Sequence, residues 1–142
     1  MLKKLFNNKG FTLLELLVVI GIIAILVAVG TASYSTVQKK ARDAKRKTDL
    51  KELQSAYEQY YSICDFKYPL PPDLSSSGIE CSATTPPTTI MSPAPVDPLN
   101  TGIYTYTVPV IQADAYTLCA YLETENGNQP STPGKYCLSQ QQ

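Results

Sequence analysis

Residues 11–34, FTLLELLVVIGIIAILVAVGTASY, constrain this chain more than any other feature, because they are apolar apart from Thr12, Glu15 and a few small residues. As a helix rising ~1.5 Å per residue, they cover the ~30 Å hydrocarbon core of a bilayer. The whole chain has 142 residues, room for one modest domain, less whatever a membrane takes. Glu15 is the anomaly in the run. A charged carboxylate in hydrocarbon costs on the order of 2.5–3.5 kcal/mol near a helix centre and less near its end, so it must be neutral, snorkelling or paired. No basic residue lies on the run. Cutting the peptide bond after Gly10 creates a new cation, the α-amino group of Phe11, one helical turn from Glu15. Own-chain pairing is open to it. So is pairing with the carboxylate of a neighbouring rod shifted by about a turn, which sets the stagger between rods. Low dielectric strengthens that attraction and desolvation takes back much of it, so register is the larger gain.

The charges divide the chain. Lysine plus arginine and aspartate plus glutamate number 12 each. Ten of the basic residues but only four of the acids precede Leu53, which points to two physical environments or to copies that attract head to body. All 11 prolines lie beyond Tyr68, so only the first half is free to be helical throughout.

Four pieces follow from this punctuation. Residues 1–10 are a short basic leader, and residues 11–34 the apolar helix. Residues 35–63 continue it as an amphipathic helix, with Val37, Ala41, Ala44, Leu50, Leu53, Tyr57, Tyr60 and Cys64 on one stripe. Asp43 four residues before Lys47 adds a few tenths of a kcal/mol. Nothing between Phe11 and Ser62 clearly stops a helix, so a single rod of about fifty residues is expected. Gly21 and Gly30 are its weak points, at ~1 kcal/mol each relative to alanine.

Residues 64–142 form a loop-rich domain. The stretch from Tyr68 to Gly102 is so rich in Pro, Ser and Thr that only loop or short turns are expected there. Two strands come next. IYTYTVPV sets Tyr104, Tyr106, Val108 and Val110 on one face, and AYTLCAYLET sets Tyr116, Leu118, Ala120 and Leu122 on one face. Pro109 makes the first an edge strand or breaks its ladder. A third short strand is expected at 135–138. The apolar face of this antiparallel sheet needs a cover, and the tyrosine and leucine stripe of the helix supplies it. The fold class is α+β.

Cys64, Cys81, Cys119 and Cys137 all sit in this half. Four cysteines allow three pairings. The preferred one, Cys64 with Cys81 and Cys119 with Cys137, closes the two shortest loops, each worth ~3 kcal/mol by loop-closure entropy. Zinc is the rival use, disfavoured by the absence of histidine and of any C-x-x-C pair. Paired cysteines imply an oxidising compartment.

KGFTLLELLVVIGIIAILVAV resembles the amino-terminal signature of type IV pilins and of the related pseudopilins of type II secretion: a short basic leader ending in Gly, then Phe, Thr, Leu, and Glu at the fifth position after the cut. The resemblance is specific through about Val29. It implies a pilin-like fold with Gly10 ending the leader, cleavage between Gly10 and Phe11 by prepilin peptidase, N-methylation of Phe11, and assembly directed by Glu15. It further implies a helical homo-oligomer, lipid contact before assembly, and an assembly platform with a separate ATPase, since the chain has no nucleotide-binding motif. The implied location is the bacterial cytoplasmic membrane, single-pass with the carboxy-terminal domain outside, then an extracellular pilus or a periplasmic pseudopilus. APVDPLNTGIYTYT is similar to the loop and first strand of major pseudopilins, whereas Cys119 and Cys137 are similar to the carboxy-terminal disulfide region of pilins. The two pull in opposite directions. Many members have a proline about a dozen residues past the apolar centre, and this chain has Ala32 near there, so local melting in a filament would rest on Gly30.

Two rivals explain the apolar run without a filament. An ordinary secretory signal peptide would be cleaved after Ala32, but the run exceeds the usual ~7–15 residues and contains Glu15. A plain single-pass anchor is the other, holding a binding domain. Loop charge even disputes the orientation: three lysines precede the span and six basic residues, within KKARDAKRK, follow it. The cysteines favour export.

The remaining candidates are weaker. KKARDAKRK has the composition to contact DNA, but the preferred reading is a solvated helix face that attracts acidic domains of neighbouring copies. The tyrosines of YEQYY read as packing. Asp97 and Asn100 carry oxygens suited to Ca²⁺ and fit an Asp-Pro turn equally well. No other cofactor is expected. Without histidine, a P-loop or G-x-S-x-G, an enzyme is not expected either. The sequence reading therefore favours a filament subunit, a type IV pilin first and a pseudopilin second.

Overall fold

The computed structural model describes residues 10–69, 78–129 and 131–141. The expected leader, Gly10 excepted, lies outside them. One helix, α1, occupies Leu13–Ile63, 51 residues, with no proline to remove a hydrogen bond from its ladder. Its end is local chemistry. Cys64 N–H donates to the Tyr60 carbonyl at 2.7 Å, and Asp65 and Phe66 then take left-handed φ values of 55° and 52°, which turn the chain out of the helix.

The chain divides into two units, Met1–Val37 and Gln38–Gln142. The described part of the first is the apolar portion of α1, which is long and apolar enough to cross a membrane. All side chains described in it are exposed. No partner within the unit covers them.

The second unit holds the rest of α1 and five strands. β1 (Ile79–Cys81) and β2 (Thr88–Met91) form an antiparallel pair, and β3 (Thr107–Ile111), β4 (Tyr116–Tyr121) and β5 (Lys135–Ser139) form an antiparallel sheet in that order. The first pair corrects the expectation of loop alone between Tyr68 and Gly102. Ile79 and Cys81 are buried and Glu80 is exposed, an alternation too short to stand out among its Ser, Thr and Pro neighbours.

The core forms where the α1 stripe meets the strands: Leu50, Leu53, Ala56 and Tyr57 pack with Tyr68, Ile79, Tyr116, Leu118 and Ala120. The Tyr116 ring contacts those of Tyr57 and Tyr68, with centroids 4.9 and 4.6 Å away. Burial alone pushes the Tyr57 phenol up to about 12. Burial, then the Glu58 carboxylate that accepts its hydroxyl, does the same for Tyr68.

Pro109 acts twice. β3 is an edge strand, and its register against β4 slips between Thr107 and Val110. Since side chains alternate with period two, the slip turns Val110 outward, 44% exposed, and Ile111 inward onto the core. The expected strand over 103–110 forms only from Thr107; of its expected inward face, Tyr106, just before β3, and Val108 pack on the core and Val110 does not. The free edge of β5 is covered by the Asn128 side chain, which accepts from Cys137 N–H at 2.7 Å and donates to its carbonyl at 2.6 Å.

Candidate functional site

The start of α1 is built from four residues. Gly10, Phe11 and Thr12 precede the helix, are exposed and lack helical backbone, so the Gly10–Phe11 bond is accessible. Phe11 is 86% exposed. Thr12 and Glu15 then lock the first turn. Thr12 N–H and Thr12 Oγ1 both donate to Glu15 Oε2 at 3.2 Å, and Glu15 N–H donates to Thr12 Oγ1 at 3.2 Å. This reciprocal capping box satisfies donors that a helix start leaves without partners, and it sets the carboxylate at the positive end of the helix dipole. The partner nearest to Glu15 is thus not the expected cation but the hydroxyl and amide three residues earlier. Thr-x-x-Glu before an apolar run was the available signal.

From Leu13 to Val29 the helix presents Leu, Ile and Val on all sides, with exposures from 82% at Leu13 to 48% at Val18. A helix apolar all round requires lipid or other helices as its surroundings.

A second cluster lies in the other unit and was not expected. Arg46 is wholly buried. Its Nε and Nη2 donate to Asp97 Oδ2 and Oδ1 at 2.7 and 3.1 Å, and its Nη1 donates to Asp43 Oδ1 and Glu123 Oε1 at 2.8 Å each. The Tyr104 ring stacks on the guanidinium, 4.8 Å from its centroid. Arg42 holds Glu123 from the other side through Nε at 2.7 Å and Nη2 at 2.6 Å. Asp43 accepts from the backbone of Glu123 and Thr124 at 2.8 Å and from the Thr124 hydroxyl at 2.7 Å. The loops at 97–100 and 123–124 are thereby fastened to one stretch of α1. Among the described residues no buried side-chain polar atom lacks a partner, the condition for a buried ionic network to hold.

The electrostatics follow the contacts. The Arg42 guanidinium first, against the opposing effect of burial, and then Arg46 lower the Glu123 carboxyl to about 2. Burial raises the Asp43 pKa, but the donors from Glu123, Thr124 and Arg46 outweigh it and the net shift is downward. For Arg46, burial works against the charge and the bonds to Asp97 and Glu123 more than restore it.

Several expectations change here. Val37, Ala41 and Ala44 are exposed and not part of the stripe, whose place above Leu50 is taken by Asp43, Arg46 and Asp49, all buried. Asp43 bonds Arg46 rather than Lys47, and Lys47 reaches Glu125 instead. Asp97 has both oxygens engaged, with Oδ1 also accepting from Leu99 N–H at 2.9 Å. A guanidinium bonded to both oxygens repels a divalent cation from the same group. Asn100, in the left-handed region at φ 47°, completes an Asx turn on Asp97. Four of the six cations of KKARDAKRK, namely Arg42, Lys45, Arg46 and Lys47, pair with carboxylates of their own chain. Arg42, Arg46 and Lys47 meet acids of the carboxy-terminal half within one copy, while Lys45 meets Asp49 on α1 itself.

The cysteines pair as Cys64–Cys81, which ties the end of α1 to β1, and Cys119–Cys137, which joins β4 to β5 at directly opposed positions.

Comparison with known proteins finds a family model and two relatives. Residues 5–31 match the family model described as the prokaryotic N-terminal methylation motif. The chain is 38% identical over 59 residues to the type IV major pilin protein PilA of Myxococcus xanthus, covering 42% of this chain and 27% of that protein. It is 39% identical over 62 residues to the prepilin peptidase-dependent protein D of Escherichia coli, covering 44% of this chain and 40% of that one. The matched segments thus span less than half the length of either relative. No solved structure matches the chain significantly. The capped apolar helix start, followed by small antiparallel sheets, is a pilin-like α+β arrangement, and the amino-terminal region of this chain carries the prepilin-type methylation motif of the type IV pilins and pseudopilins.

Proposed function

We propose that the chain is a structural subunit of a type IV pilus or a related filament, made as a prepilin, held in the membrane by residues 11–34 and assembled by packing that segment against copies of itself. The observation that carries this reading is the methylation motif on residues 5–31 running directly into a helix whose apolar side chains are exposed on every side. Processing by prepilin peptidase fits the non-helical, exposed Gly10–Phe11 bond. Lipid and helix neighbours are equally apolar, so transfer from bilayer to filament core carries little net hydrophobic free energy, and close packing plus polar contacts decide the balance. Glu15 supplies the polar contact. In the isolated subunit its carboxylate accepts from Thr12, and in the filament it neutralises the Phe11 amine of a neighbour and sets the stagger.

The carboxy-terminal domain then stands outside the cytoplasmic membrane, where the two disulfides form. An ATPase on an assembly platform powers extraction. The Cys119–Cys137 bond, at the place where the resemblance to pilins lies, supports a pilus over a type II secretion pseudopilus. DNA gains no support, because most of the basic run is engaged by the chain's own acids. Glu15→Ala is the test. The variant inserts and is cut but yields few filaments, and wild-type yield would count against the pairing.

A further inference from the structure

The network around Arg46 leaves two cations out. Lys39 and Lys40 are exposed, and neither pairs with a carboxylate among the described residues, although Arg42, Lys45, Arg46 and Lys47 in the following turns all do. The carboxylate one turn further along the helix, Asp43, is already saturated by Arg46, Glu123 and Thr124. Their place in the chain is specific. They follow Val37, the last apolar residue before the polar stretch, and Tyr34, 64% exposed, lies five residues before Lys39.

Depth can be worked out along the helix. If Gly30 marks the edge of the ~30 Å hydrocarbon core, Lys39 lies ~13 Å further on, and with the edge at Tyr34 it lies ~7 Å further on. The polar zone of a leaflet adds ~5–8 Å to the core, and a lysine can bend back toward it along its aliphatic stem. An exposed tyrosine followed by lysines is the usual anchor of a helix at that boundary. What stands at this depth in a bilayer is phosphate.

We infer that Lys39 and Lys40 bind the phosphates of anionic lipid headgroups and hold the unassembled subunit at a fixed depth in the membrane. The inference rests on the membrane-spanning reading of residues 11–34. Arg42, Lys45, Arg46 and Lys47 in the next turns are engaged by carboxylates of the second unit, which leaves this pair as the nearest cations to the span without such a partner among the described residues. Release of the headgroups then accompanies assembly, and extraction into a filament is costlier from an anionic bilayer than from a zwitterionic one.

The test uses the full chain reconstituted in bilayers of equal parts phosphatidylcholine and phosphatidylglycerol. Native mass spectrometry counts the lipids of each kind that stay bound. The wild type retains phosphatidylglycerol preferentially, and Lys39→Gln with Lys40→Gln lowers that preference about fivefold per lysine. Lys51→Gln with Lys67→Gln, a control pair away from the span, leaves it unchanged. An unchanged preference in the first variant, or an equal fall in the control, overturns the inference. So does a first variant with normal lipid preference but poor filament yield, which would assign the two lysines to a second copy of the chain. An alkaline wash separates this from the parent reading. If the wild type washes out of the bilayer, the membrane-spanning reading fails and this inference with it, whereas retention with no lipid preference sinks the inference alone.

Discussion

Replacing Arg46 with methionine keeps much of the side-chain volume and removes the only guanidinium that Asp97 contacts. Asp43 would keep three donors from Glu123 and Thr124, and Glu123 would keep Arg42. Asp97 would keep only the N–H groups of Leu99 and Asn100, with its side chain 0% exposed. Stranding one partner of a buried ion pair costs ~3–5 kcal/mol, a large share of the ~5–15 kcal/mol that holds a domain together. At ~4 °C per kcal/mol for a unit of this size, the unfolding midpoint falls by ~12–20 °C. Circular dichroism of the full chain in detergent, melted and titrated with urea, reads the change. The decisive comparison is the double variant Arg46→Met with Asp97→Asn. Neutralising the stranded carboxylate should recover ~2 kcal/mol, since contacting residues couple by ~0.5–3 kcal/mol. If the single variant costs under ~1 kcal/mol, or the double variant recovers nothing, the network does not fasten the loops to α1 and the reasoning fails.

Other expectations follow from the same contacts. Glu123 and Asp43 have folded pKa values below their unfolded ones, so their contribution to stability is complete above the unfolded value and lost as pH falls toward the folded one. Urea midpoints should drop between about pH 4.5 and about 2, and Glu123→Gln should flatten that profile. Replacing Cys119 and Cys137 together with alanine should cost ~3 kcal/mol in the same titration, because the bridge closes a separation of 18 residues; a change under ~1 kcal/mol would show the sheet to be held by its ladder alone. Thr12→Val removes the cap of α1, worth ~1 kcal/mol, and leaves the Glu15 charge, whereas Glu15→Gln keeps an acceptor for the capping box and removes the charge. Glu15→Gln should therefore assemble as poorly as Glu15→Ala, and near-normal filament yield from it would give the capping box the larger part.

Patterns of one residue type at one period were readable from the chain. The apolar run and the Leu50, Leu53, Tyr57 stripe extend over enough turns that few arrangements satisfy them, and the alternation of Tyr116, Leu118 and Ala120 fits only a strand with one covered face. The ionic cluster was hidden because apolarity was the signal followed. Positions 43, 46, 50, 53 and 57 step by three and four along one face, and the first two are Asp and Arg. A reader following spacing rather than hydrophobicity would have found the buried face and asked which acids meet Arg46. Asp97 and Glu123 are 51 and 77 residues away from it, and no local pattern reveals such a meeting. Val110 failed for a different reason: a bulge at Pro109 moves every later side chain of β3 to the other face, and where a bulge falls depends on the partner strand.

Glu15 shows how its local role and the proposed intermolecular one are compatible. A carboxylate three residues after a threonine caps a helix in any solvent, so its presence at the start of an apolar run is intelligible before any partner is invoked. The cap lessens the cost of carrying the charge in the membrane and leaves further acceptor capacity, since a carboxylate offers about four lone-pair sites.

Filament assembly by this route requires that the subunit begin at the residue whose amine meets Glu15. Intact mass spectrometry of the native mature protein, taken from the cells that make it, measures this directly. The account predicts a chain starting at Phe11 and carrying one added methyl group. A chain starting at Ser33, or one still starting at Met1, would contradict it.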